Sequence, residues 1–84
     1  MTPAEFVVDV VERQGAFKPG HVKTTDSIHD DLQLDSLDIV EMVMEIEDKL
    51  GLDMDTNDDS FAKIVTVENL INYVEARVKE EART

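Results

Sequence analysis

Three stretches of this chain repeat apolar residues at intervals of three and four, the spacing of a buried helical face, and none keeps the alternation of a strand. That pattern confines the chain to helix packed on helix. Residues 16–35, between the first two stretches, hold no regular period and contain Pro19-Gly20 and the polar run Lys23-Thr24-Thr25-Asp26-Ser27. The expected fold is all-α: a four-helix bundle with three long helices and one short helix, and a long loop between the first and second. With 84 residues, the chain is expected to form a single domain over 1–84 that buries roughly 60% of its unfolded surface.

Local signals place the helix ends. Thr2-Pro3-Ala4-Glu5 combines an N-cap hydroxyl, proline at the first helical position and a glutamate closing a capping box, so a helix is predicted from Pro3 to about Gln14. Phe6, Val7, Val10 and Val11 form its apolar face, and Gly15 ends it. In the loop, Ile28, Leu32 and Leu34 are spaced to peg the chain onto the core, with a short helical turn expected over Ser27–Leu32. Connections this long inside a compact domain are often functional, and this one arrives at Ser36. The second helix runs to Leu50, where Gly51 is a natural C-terminal cap. Ser60-Phe61-Ala62-Lys63-Ile64 suits a short third helix. The last is predicted from Thr66 as N-cap, with Val67, Leu70, Ile71, Val74 and Val78 facing inward, Arg77, Lys79 and Arg83 toward its C-terminus, and fraying beyond Glu80.

Charge narrows the partners. Twenty acidic side chains against eight basic ones give a net charge of −12, which repels phosphate backbones and excludes nucleic acid as a natural ligand. Partners are expected to present basic patches. No cysteine is present, so neither a disulfide framework nor a thiolate metal site holds the fold, and any thiol chemistry must use an imported thiol. The N-terminus lacks the basic start and apolar stretch of a secretory signal, and no apolar run reaches membrane-spanning length. A cytoplasmic monomer with no stable membrane insertion is expected.

On a wheel of about 100° per residue, Ile39, Met42, Val43, Ile46 and Leu50 share the core arc of the second helix, and Asp38, Glu41, Glu45 and Asp48 gather opposite. Leu37 and Met44 fall beside Glu41 and Asp48, away from the core, with Val40 and Glu47 between them and Ser36. Apolar side chains stranded among carboxylates near Ser36 suggest a docking surface, and methionine suits one that fits several partners. Ser36 itself reads as more than a cap. Were it the N-cap, the third helical position would be the apolar Ile39; with Asp35 as cap, that position is Asp38, close to a capping box. The Ser36 hydroxyl is then spare, at a helix N-terminus that favours a phosphoester. A serine-hydrolase reading fails because His21 and His29 lie in the loop without a matching acid and oxyanion pattern, and both are expected at the surface.

The run Asp31-Leu32-Gln33-Leu34-Asp35-Ser36-Leu37-Asp38-Ile39-Val40-Glu41, continued by Met42-Val43-Met44-Glu45-Ile46-Glu47, resembles the signature of the acyl carrier proteins, and the likeness extends over nearly the whole chain. The resemblance implies that Ser36 is esterified with 4'-phosphopantetheine by a phosphopantetheinyl transferase drawing on coenzyme A. The thiol of that arm would carry acyl groups as thioesters among fatty-acid, polyketide or specialised lipid biosynthetic enzymes, such as ketosynthases and acyltransferases with basic docking patches. Carried over by position, Asp35, Leu37, Asp38, Val40, Glu41, Met44, Glu47 and Asp48 would be read by those partners, while Val43, Ile46, Leu50, Ile64 and Ile71 would shelter the acyl chain. No catalytic residue and no metal site are implied. Gln33-Leu34 stands where glycine and alanine are frequent in the family, Asp55 where proline is, and the segment 55–63 is slightly longer; peptidyl carriers, with their glycine-rich approach and less acidic surfaces, fit less well.

Two other readings follow from the residues. Asp53-Met54-Asp55-Thr56-Asn57-Asp58-Asp59 alternates oxygen donors as a calcium loop does, but Asp58 replaces the glycine at the sixth position and Ile64 the acid at the twelfth. The other is an acidic adaptor that keeps the carrier fold and is never modified.

Overall fold

The computed structural model describes residues 1–54, 57 and 59–82, and within these it is all-helical: α1 (Pro3–Gln14), α2 (Ser36–Leu50), α3 (Asp59–Ala62) and α4 (Val67–Ala82). The first helix starts as its sequence signals require. Thr2 Oγ1 accepts from Glu5 N (3.1 Å) and Glu5 Oε1 accepts from Thr2 N (2.9 Å). It ends as expected after Gln14 with Gly15 as the cap, at φ −90°, and it is Ala16 that takes the left-handed conformation, at φ 57°. Phe17 N reaches back to the Glu12 carbonyl (2.8 Å), and the Phe17 ring lies so close over Gly15 that a Cβ there would collide with it. Gly15 is thus selected by close approach and not by a positive φ.

α1 packs on both α2 and α4, and the core forms where they meet. Val7, Val10 and Val11 from α1, Met42, Val43 and Ile46 from α2, and Val67, Leu70 and Val74 from α4 are almost wholly removed from water. Phe6 and Ile71 join them, so the inward faces read from the periodicity are the buried ones, with Ile39, Leu50 and Val78 half-buried at the margin. α3, one residue earlier and shorter than expected, sets Phe61 edge-on against Tyr73 of α4 (centroids 5.8 Å apart).

The long loop is pegged by Ile28, Leu32 and Leu34, all buried, and by Val22, which periodicity does not reveal. Its backbone supplies what α4 lacks. The first N–H groups of a helix have no intrahelical acceptor; here Val67 N donates to the Asp26 carbonyl (3.0 Å) and Glu68 N to that of Thr24 (2.9 Å). Ile28 N donates to Val65 O (2.9 Å), an isolated bridge pairs Ser27 with Thr66, and Thr66 Oγ1 caps Asn69 N (3.1 Å). The Ser27–Leu32 segment makes the single turn expected of it, with Asp31 N and Leu32 N both donating to the Ser27 carbonyl (3.0 Å each), and Ile28 N stitches that turn to the junction through Val65 O. Buried Glu12 of α1 holds the loop's other end, its Oε2 accepting from Gly20 N (2.8 Å) and Val22 N (3.3 Å).

Beyond α2, Gly51 takes φ 67° as the expected left-handed cap. Leu52 and Met54 are buried, and Arg77 of α4 ties this segment down by donating to the Asp53 carbonyl (2.7 Å) while pairing with Glu80 (2.6 Å). α4 continues past the expected fraying point at Glu80 to Ala82, and Arg83 lies outside the described residues. So do Asp55, Thr56 and Asp58 of the calcium-like stretch; among the described residues no group of three or more histidine, aspartate or glutamate side chains could hold a metal ion. Among them, too, no helix is long and apolar enough to cross a membrane.

Candidate functional site

The chain reaches α2 through three residues with different tasks. Gln33 adopts φ 55°, a left-handed turn that only glycine takes without cost, and Leu34 drops into the core. Asp35, extended at φ −95° and ψ −175°, caps the helix: its Oδ1 accepts from Asp38 N (3.0 Å), and Asp38 Oδ2 accepts from Asp35 N (3.0 Å). Ser36 follows as the first helical residue. It is exposed, and its hydroxyl has no hydrogen-bond partner among the described residues. The cap is therefore Asp35, and the serine is left facing water beside the N-terminus of a fifteen-residue helix.

The acids behind Ser36 are held in place. The Asp35 backbone N–H, and after it the Gln14 amide, keep the Asp38 carboxyl below the ordinary aspartate range, so it is an anion at neutral pH. Gln14 Nε2 donates to Asp38 Oδ1 (3.1 Å) and Glu41 Oε2 (2.8 Å), and Arg13 pairs with both Asp9 (2.9 Å) and Glu45. The end of α1 thereby straps the acidic side of α2. Asp48 is exposed, but the Glu47 carboxylate turns toward the following loop and accepts from Met54 N (2.9 Å). Helical periodicity shows neither the Gln14 bridge nor this use of Glu47; the Asp9–Arg13 spacing of four is the one local hint.

Leu37 is 66% exposed, Met44 61% and Val40 44%, so the apolar side chains that the wheel sets among carboxylates do stand in solvent. The described exposed large apolar residues outside this stripe are Met1 and Val65. The residues matched to an acyl shelter lie inward: Val43, Ile46 and Ile71 are buried in the core, with Leu50 and Ile64 packed half-buried against it. Ile64 also lines an open groove of about 360 Å³ with Lys63, Asn69 and Tyr73. The histidines are both exposed; His21 stacks on Phe17 (4.9 Å between centroids), and His29 Nδ1 hydrogen-bonds Leu34 O (3.2 Å).

Comparison with known proteins matches residues 5–74 to the family described as the phosphopantetheine attachment site. The acyl carrier protein of Campylobacter concisus is 39% identical over 75 residues, covering 89% of this chain and 95% of that protein. The chain belongs to the acyl carrier protein family. The carrier is also 38% identical over 71 residues to the acyl carrier protein of Campylobacter hominis, covering 84% of this chain and 87% of that one. The corresponding Clostridium acetobutylicum protein is 34% identical over 76 residues, 90% and 96% of the two chains. The cofactor of this carrier is accordingly 4'-phosphopantetheine. The residues at the mouth of α2 fit such a group: an exposed hydroxyl without a partner, at a helix end that favours a phosphodiester, on a chain with no thiol of its own.

Proposed function

We propose that Ser36 carries the 4'-phosphopantetheine arm and that residues 1–84 work as one non-catalytic, monomeric, cytoplasmic carrier domain. The observation behind this reading is the Ser36 hydroxyl, exposed and surplus to the cap that Asp35 forms. When bound, the arm supplies a terminal thiol that holds acyl groups as thioesters. The chain supplies the rest. Ser36 Oγ gives up its proton to a base of a phosphopantetheinyl transferase and bonds to the phosphorus bearing pantetheine in coenzyme A, as that phosphorus parts from the nucleotide. Asp35 and Asp38 hold the first turn and, being anionic, discourage uncatalysed attachment.

Asp35, Leu37, Asp38, Val40, Glu41, Met44 and Asp48 form the surface that basic patches of the transferase, and of ketosynthase or acyltransferase partners in fatty-acid, polyketide or specialised lipid synthesis, would read. Glu47 belongs at its edge, where its carboxylate shapes the backbone after α2. Val43, Ile46, Leu50, Ile64 and Ile71 would line the shelter for the acyl chain once the helices part. Intact mass after incubation with coenzyme A and a transferase tests the assignment: wild type gains one phosphopantetheine and Ser36→Ala none. No gain with several transferases would leave the unmodified adaptor as the reading.

A further inference from the structure

The acidic side of α2 can be read by a basic partner in two ways: as diffuse negative potential, or as carboxylates held at fixed positions. The contacts of Gln14 separate these. It is the last residue of α1, half-buried, and its single amide nitrogen donates to Asp38 Oδ1 at 3.1 Å and Glu41 Oε2 at 2.8 Å. Asp38 is thereby held from both sides, since its other oxygen accepts from Asp35 N. Glu41 is exposed and, without the amide, would have its rotamers open to it. A neutral donor also lets two anions sit one helical turn apart without cancelling the charge that a basic partner needs.

We propose that Gln14 is a positioning residue for partner docking: it sets Asp38 and Glu41 in one arrangement beside Ser36, so that a partner's basic groups meet them already ordered. The inference rests on the docking role proposed above for α2. Gln14 makes no hydrogen bond to Ser36 and takes no part in bond making. Its contribution lies in the ordering cost of an immobilised side chain that docking avoids, read as roughly a three- to tenfold change in KM, which is about 0.7–1.4 kcal/mol.

Two substitutions test this with opposite stakes. Gln14→Leu removes the donors at constant charge. Gln14→Glu is nearly isosteric, adds a negative charge, and replaces the donors with a carboxylate that repels Asp38 and Glu41. If diffuse potential governs docking, Gln14→Glu lowers KM for a basic transferase; if positioning governs it, both substitutions raise KM by about three- to tenfold, with kcat held within about twofold. The readout is the initial rate of mass gain from coenzyme A at 0.15 M salt, with far-UV circular dichroism confirming a helical fold in each variant. Adding Glu41→Gln completes the test, because it should cost much less in the Gln14→Leu background than in wild type. A lowered KM in Gln14→Glu, an unchanged KM in both variants, or strict additivity with Glu41→Gln overturns the role of Gln14 while wild type is still modified. No mass gain in wild type overturns the attachment reading itself.

Discussion

Replacing Asp35 by alanine removes the acceptor for Asp38 N and the anion at the start of α2, while leaving Ser36 in the first turn. Loss of an aspartate N-cap costs about 1 kcal/mol, and loss of the charge–dipole interaction a further ~0.3–1 kcal/mol. Relief of repulsion between neighbouring acids returns about 0.2–0.5 kcal/mol, so the net destabilisation is about 1–2 kcal/mol. For a domain of this size that lowers Tm by about 5–15 °C. Ser36→Ala, one residue along, breaks no hydrogen bond among the described residues and puts a better helix former at the first position, so it should change stability by less than about 0.5 kcal/mol. Urea unfolding of the unmodified proteins, followed by circular dichroism at neutral pH and fixed salt, measures both. Equal destabilisation by the two substitutions would refute the reasoning, for it would mean that the serine hydroxyl is engaged in the fold and is not spare for an ester.

Gln33→Gly should stabilise by about 0.5–1 kcal/mol, since the left-handed φ of 55° is strained for glutamine and the side chain is exposed, whereas Gly51→Ala at φ 67° should destabilise by about 1 kcal/mol; a loss of stability in Gln33→Gly would contradict this. The Asp38 carboxyl lies below its ordinary range in the folded protein, so the stability it confers is complete above about pH 4 and is lost as pH falls through the folded value. The stability difference between wild type and Asp38→Asn should therefore shrink on acidification, and a difference that grows in urea titrations between pH 6 and pH 3 would reverse the sign. With a net charge of −12, salt or divalent cations should raise Tm by screening self-repulsion, and a melting curve unmoved between 10 mM and 200 mM sodium chloride would count against it. Charge reversal at Glu41 or Asp48 should slow partner association more than it speeds release, as stopped-flow binding would show.

Much of the fold is legible in local chemistry. Helix starts at Thr2, Asp35 and Thr66 follow from side chains that satisfy the first orphan N–H groups within three residues, and such short-range bonds need no knowledge of distant packing. The Gly51 cap and the inward faces of α1, α2 and α4 follow from equally local rules. The long loop is another matter. Its pegs at Ile28, Leu32 and Leu34 stand out as apolar, but its turn geometry is set by the unpaired amides of α4, forty residues away in sequence, and by Glu12.

At the site, the sequence by itself determined the serine, the acidic helix behind it and the stripe of Leu37, Val40 and Met44, because a cap and a periodic face are properties of consecutive residues. Tertiary structure alone decided which of those acids are held and by what. Gln14 reaches Asp38 and Glu41 only because α1 packs against α2, and Glu47 is diverted to Met54 N only because the chain doubles back after Gly51. Both are contacts between segments whose separation in space no period encodes; they arise when the core closes.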